Sequence, residues 1–232
     1  MRIRTHLLLA ALCALNLWGG SLHSAEPVGE ASAPAGEGWV QVSTSSKLSV
    51  YYRYKKGSPI KEYQAIGVIA APNWVVENVL ADTEAYPNFM PYVAECKVLA
   101  REAEGLTTYQ RVSAPFISGR DYVLHIRIET RHSKSGTVYV RHWNVDSSRV
   151  VAEHPGTIRM KVNEGSWTLE PAGESTRVTY SIFTNPGGSI PTGMLNYANQ
   201  SVIPKIFAAV EKQSGDKKYR ANRPAEDPVV NH

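Results

Sequence analysis

The chain has 232 residues, with 25 Lys and Arg against 21 Asp and Glu and a formal net charge of +4. Two of those cations, Arg2 and Arg4, stand before an N-terminal apolar run; set aside, they leave a slight excess that gives no electrostatic case for nucleic acid as a partner. Of the two cysteines only Cys96 lies beyond that run, so no internal disulfide is available and one core of adequate size must hold the fold unaided.

Residues 1–25 follow the grammar of a secretory signal: a basic start, an apolar run from Leu7 to Leu17, then Ser21-Leu22-His23-Ser24-Ala25. The run is short for a bilayer span, although an uncleaved anchor is the alternative. Leu12 before Cys13 argues against a lipid-attachment signal. Residues 26–38 are rich in Ala, Gly, Pro and Glu and read as a flexible leader to a domain over residues 39–213. The polar, Pro-interrupted stretch over residues 214–232 reads as a disordered tail.

Inside the domain, Leu48-Val50-Tyr52-Tyr54 alternates with polar neighbours and predicts a strand, followed by another near 62–70. Pro72, with Trp74, Val75, Asn78 and Val79 at helical spacing, predicts a helix ending near Asp82. Strands are expected at 95–102 and 106–113. Tyr122, Leu124, Ile126 and Ile128 form the apolar phase of the next, and Ile158, Met160 and Val162 of a later one, with further strands at 137–145, 166–170 and 176–184. A last helix spans about 192–212, with Leu195, Ala198, Val202, Ile206 and Ala209 as its apolar stripe and Pro204 inside it. Alternation of this kind implies an antiparallel sheet with one wet face, and so many strands must curl around something. One helix covers part of the concavity and leaves room for a ligand.

Two motifs carry a resemblance. Phe116-Ile-Ser-Gly-Arg120-Asp121-Tyr122-Val123 resembles the loop-to-strand junction of START domains, and Asn185-Pro186-Gly187-Gly188-Ser-Ile190-Pro191 resembles the lead into their last helix. Leu195-Asn196-Tyr197 and Ile203-Pro204-Lys205 continue the likeness, which runs from about Trp39 to Gln213 and is strongest to the phosphatidylcholine-transfer branch. The resemblance implies an α+β helix-grip fold: a curved antiparallel sheet around a long C-terminal helix, with an internal hydrophobic tunnel for one lipid. Gly193 stands where the family often has Trp, and Ile126 where sterol-binding members tend to carry Arg, which favours a phospholipid-like ligand over a sterol.

The candidate ligand contacts are Arg120 and Arg111 as cations for a polar end, and Tyr122, Leu124, Ile126, Ile128 and Met160 as tunnel wall. Leu195, Val202 and Ile206 complete that wall from the last helix. Arg120 also reads as a structural group, in an ion pair with Asp121 that fixes the loop to the strand. Trp143 and Trp167, with Tyr109, Tyr139 and Tyr180, could cage a quaternary ammonium, or simply fill the core. His125, His132 and His142 lack carboxylate or thiolate companions at ligand spacing, so neither a metal nor another cofactor is expected. No nucleophile or phosphate-loop motif stands out. The reading is a monomeric, non-enzymatic carrier, exported to the periplasm or outside the cell, that touches membranes transiently; a cyclase or hydrolase on the same scaffold is the alternative. Pro186-Gly187-Gly188 makes the last helix the expected lid, against the Pro115–Gly119 loop or the Tyr86–Tyr92 segment.

Overall fold

A computed structural model describes residues 33–115, 117–152 and 154–223. The expected export signal, most of the expected leader and residues 224–232 lie outside the described residues. Ten strands form one curved sheet. They are β1 (Val40–Thr44), β2 (Leu48–Tyr54), β3 (Lys61–Ile69), β4 (Val93–Glu102), β5 (Gly105–Val112), β6 (Gly119–Ser133), β7 (Gly136–Val145), β8 (Thr157–Arg159), β9 (Val162–Ala172) and β10 (Ser175–Asn185). Helix α1 (Asn73–Ala81) and a 3₁₀ turn at Thr83–Asn88 fall between β3 and β4, and α2 (Thr192–Gln213) follows β10. The strand order is β1-β2-β3-β10-β9-β7-β6-β5-β4, so β10 returns to pair with β3.

Two strand expectations change. The segment read as a strand over 158–162 is broken: β8 pairs parallel with β6, and β9 starts afresh at Val162 and absorbs the strand expected at 166–170. The break reverses the side-chain phase. Ile158 lies opposite Arg120 and Met160 is buried on the concave side, whereas Asn163, not Val162, is the inward residue of β9.

Register carries one face across the sheet. Ile126 lies opposite Leu106 and Trp143, Trp143 opposite Gly165, Gly165 opposite Ile182, and Ile182 opposite Tyr63. Two residues along, Trp167 and Tyr180 meet Phe207 of α2, with ring centroids 5.6 and 6.3 Å away, so this is the face the helix covers. Its main core joins Val50, Tyr63, Ala65, Trp167, Leu169, Val178 and Tyr180 to Val75, Val76, Val79 and Leu80 of α1 and to Ile203, Phe207 and Val210 of α2. A second cluster, Leu106, Tyr122, Leu124, Ile126 and Met160, lines the β5–β6 half, and Trp143 touches both.

The helical stripes are each displaced by about one residue from the sequence reading. Helix α1 buries Val76 and Leu80 beside Val75 and Val79, while Trp74 is only partly covered. Helix α2 continues through Pro204 and buries Leu195, Ile203, Phe207 and Val210; Val202 and Ile206 are half-buried at the stripe's edge. Both stripes start from Leu195. The reading that chose Ala198 over the polar Asn199 followed the wrong one.

Helix α1 is tied to the sheet by a buried pair. Arg141 of β7 grips Glu77 through Nε at 3.0 and 2.9 Å and Nη2 at 2.6 Å, with side chains only 5% and 12% exposed. Asn73 adds donor bonds to the carbonyls of Thr137 and Leu169. The start of the expected tail is also structured. A 3₁₀ turn at Lys217–Arg220 buries Tyr219, whose hydroxyl donates to Asp82, while Asn78 donates to the carbonyls of Tyr219 and Asn222. These bonds lie far apart in sequence, which is why polarity alone misplaced the segment.

Glu77→Ala is expected to lower stability by about 3–5 kcal/mol, because it strands a buried guanidinium. Urea unfolding measures this, and a loss below about 1 kcal/mol would mean that the pair is solvated, as surface pairs are.

Candidate functional site

The concave face carries more polar groups than a closed core needs. Trp143 Nε1 donates to Asn163 Oδ1 at 3.0 Å. Asn163 lies beside the Tyr122 hydroxyl, which donates to Gln110 Oε1 at 3.3 Å, and Gln110 Nε2 donates to Thr108 Oγ1 at 3.3 Å. This belt crosses β7, β9, β6 and β5 among buried apolar side chains. Burial pushes the Tyr122 and Tyr180 phenols well above their ordinary pKa, so both stay neutral. Apart from Trp143 and Tyr122, none of the belt stands out in sequence, because Thr, Gln and Asn in a strand read as its wet phase.

Tyr122, Leu124, Ile126 and Met160 line this face as expected from their phase, with Ile128 partly buried beside them. Trp143 and Trp167 also belong to it, but the aromatic cage is not formed. Trp143 lies over Tyr180 with ring centroids 5.9 Å apart, Trp167 meets Tyr180 at 4.5 Å, and Tyr109 points to the other face. Rings that cover one another offer no open box for a cation.

The two candidate arginines part company. Arg111 lies opposite Asp121 on the outer face and pairs with Glu95 at 3.3 Å, so it is no ligand contact. Arg120 is inward and 4% exposed. Its Nε donates to the Pro186 carbonyl at 3.3 Å, Nη2 to the Gly187 carbonyl at 3.2 Å and Nη1 to the Ser118 carbonyl. Burial pulls its pKa below the ordinary arginine value, yet a guanidinium keeps its charge. It therefore clamps the strand to the loop that leads into α2. That loop turns through Gly187 and Gly188 at φ +65° and +74°, and a Cβ at Gly188 would stand 3.3 Å from Arg120 Nη2 and 3.0 Å from Ile158.

Asp121 does not pair with Arg120, because neighbours in a strand point to opposite faces. It takes Arg159 Nε at 2.7 Å and Nη2 at 3.0 Å, plus the Tyr109 hydroxyl at 3.1 Å. Burial opposes its ionisation, but Arg159 and Tyr109 outweigh that and hold the carboxyl below the usual aspartate range. On the same outer face a shallow cleft of about 330 Å³ runs past Arg127, His142, Ser166 and Ser181, in line across β6, β7, β9 and β10. Trp143, Gly165 and Ile182 also line it.

From α2, Ile206 packs against the main core, while Leu195 is buried and Val202 half-buried without belonging to either cluster. The helix is moored at its start, where the Tyr63 hydroxyl donates to the Asn196 carbonyl at 2.7 Å and the Lys61 amide donates to Asn196 Oδ1 at 3.1 Å. At Gly193, where the resembled family often has Trp, an added Cβ meets nothing within 4 Å.

The family model of the START domain matches residues 31–214. The chain belongs to the START family. An uncharacterised Pseudomonas aeruginosa protein is 32% identical to this START domain over 170 residues, covering 72% of this chain and 82% of the relative. Human phosphatidylcholine transfer protein is 28% identical over 180 residues, covering 75% and 83%. Among solved structures, a fragment of a STAR-related lipid transfer protein from Xanthomonas axonopodis is 27% identical with a TM-score of 0.70, covering 78% of this chain and all of that one. Human StAR-related lipid transfer protein 5, at 16% identity and a TM-score of 0.69, shares the fold.

Two outcomes follow from the geometry. A carboxyl with a depressed folded-state pKa stabilises the fold above its unfolded value of about 3.9 and loses that contribution as pH falls through its folded value. Wild-type stability should therefore drop below about pH 5 more steeply than that of Asp121→Asn, as read from urea midpoints across a pH series. Arg120→Met should speed amide hydrogen exchange around Gly187–Ile190 and cost about 2–4 kcal/mol, since three carbonyls lose a charged donor.

Proposed function

We propose that this START domain binds one lipid between the concave face of its sheet and α2, and carries it between membranes. The observation that carries the reading is the lined concavity: Tyr122, Leu124, Ile126 and Met160 form an apolar wall with a buried polar belt across it, on the face that α1 and α2 cover. Family membership and the lipid-transfer relatives support it. Burial of acyl chains supplies about 25 cal/mol per Å² of apolar surface, and the few polar groups orient the ligand.

The reading is of a carrier and not an enzyme, because the inward polar groups are amides and hydroxyls engaged with one another and the inward arginines are held by carbonyls and by Glu77. Helix α2 serves as the lid, swinging on Pro186-Gly187-Gly188 once the Arg120 clamp opens. Its exposed Met194 and Tyr197, 58% and 74% accessible, suit a brief contact with the membrane that donates or accepts the lipid. The proposal includes a monomer exported to the cell envelope. Export rests on the basic-then-apolar pattern of residues 1–25, and N-terminal sequencing of the exported chain tests it.

Lipid transfer between donor and acceptor vesicles tests the reading as a whole. Wild-type protein should accelerate transfer, and Ile126→Lys should lower lipid loading by about tenfold or more while circular dichroism stays that of the native sheet, because a lone cation is placed against the ligand. Native-like protein that loads no lipid, or unchanged loading in Ile126→Lys, would sink it.

A further inference from the structure

Asn199 interrupts the buried stripe of α2. It stands one turn after Leu195 and one turn before Ile203, both buried, and so shares their inward side. Its Nδ2 is buried and has no hydrogen-bond partner among the described residues. A buried amide donor left unpaired costs stability, and an isosteric Leu would remove that cost. Departures of this kind from a consistent core are where a ligand supplies the missing partner.

The concave face of the sheet also carries a run of neutral polar groups. Thr108, Gln110 and Tyr122 bond in sequence and Asn163 accepts from Trp143, and all four keep hydrogen-bonding capacity. Both inward arginines are already engaged: Arg141 with the Glu77 carboxylate, and Arg120 through all three of its nitrogens with backbone carbonyls. An anion brought to Arg120 would also approach the oxygens of Ser118, Pro186 and Gly187.

We infer that the lipid held here has an uncharged polar end, an acylglycerol whose ester carbonyl accepts from Asn199 and whose hydroxyl joins the neutral belt. A phosphodiester would have to leave water for a site whose cations are spent, and charge burial without a partner is strongly disfavoured. A single sterol hydroxyl would leave most of these groups, spread over four strands and a helix, unmatched. The inference rests on the proposed carriage of lipid and replaces the phospholipid preference with a different class.

The test re-isolates the full chain from vesicles of dioleoylphosphatidylcholine carrying a minor share of dioleoylglycerol, and determines the bound lipids by mass spectrometry. The expected result is enrichment of dioleoylglycerol over its vesicle proportion by about tenfold, the worth of one or two hydrogen bonds. Asn199→Leu should reduce that enrichment about fivefold or more while the Tm of the lipid-free protein holds or rises. Binding dominated by phosphatidylcholine would overturn the inference and leave carriage intact, whereas binding of neither lipid would remove both. Undiminished enrichment in Asn199→Leu would overturn the role of Asn199.

Discussion

Strand β6 sets the terms for the rest of the molecule. Successive side chains on a strand alternate between faces, so Arg120 and Asp121 cannot serve each other. Arg120, Tyr122, Leu124 and Ile126 go to the concave side, while Asp121 and Val123 go outward. Each charge must then find compensation on its own face. Asp121 finds it in Arg159 of β8, which locks the short parallel strand against β6. Arg120 finds it in carbonyls of the loop ahead of α2. One strand's alternation thus fastens both the β8 crossover and the loop that leads into α2.

The bonds that hold α2 differ along its length. Toward its C-terminus, Ile203, Phe207 and Val210 are packed into the main core with α1 and the β3–β10–β9 strands. At its start the ties are a few hydrogen bonds, from Tyr63 and Lys61 to Asn196 and from Arg120 to the Pro186–Gly187 carbonyls. Hydrogen bonds to water can replace these at modest net cost, while exposing the packed end costs its buried apolar area. Exposing the N-terminal end of α2 therefore costs less than exposing its packed end. Exposed Met194 and Tyr197 lie on that N-terminal end.

The interior trades stability for recognition. An all-apolar lining would bury the same area without the orphaned Asn199 amide or the long belt from Trp143 to Thr108. Cys96 sits close to this belt, opposite Gln110, and its thiol is pushed up to about 12 by burial, which leaves it an inert neutral group. Charge, by contrast, is kept to positions where partners are fixed, as at Arg141 and Glu77. The polarity that remains free is all of one chemical kind.

Much of this is local information and was legible in the sequence. Period-two patterns located most strands, Pro72 and the Leu195-to-Val210 region located the helices, and the Arg120-Asp121-Tyr122 and Asn185-to-Pro191 motifs pointed to the family. Those signals depend on neighbouring residues alone, through backbone alternation and turn chemistry. The tertiary structure decided what depends on distant partners. It turned Arg111 outward to Glu95, closed the aromatic set upon itself, brought Tyr219 against Asp82, and moved the α2 stripe onto Asn199, Ile203 and Phe207. A helix with two adjacent apolar stripes, or a chain break such as that between Met160 and Val162, has no local term that selects the buried side. Only the shape of the opposing surface makes that choice, because burial is a property of the assembled faces.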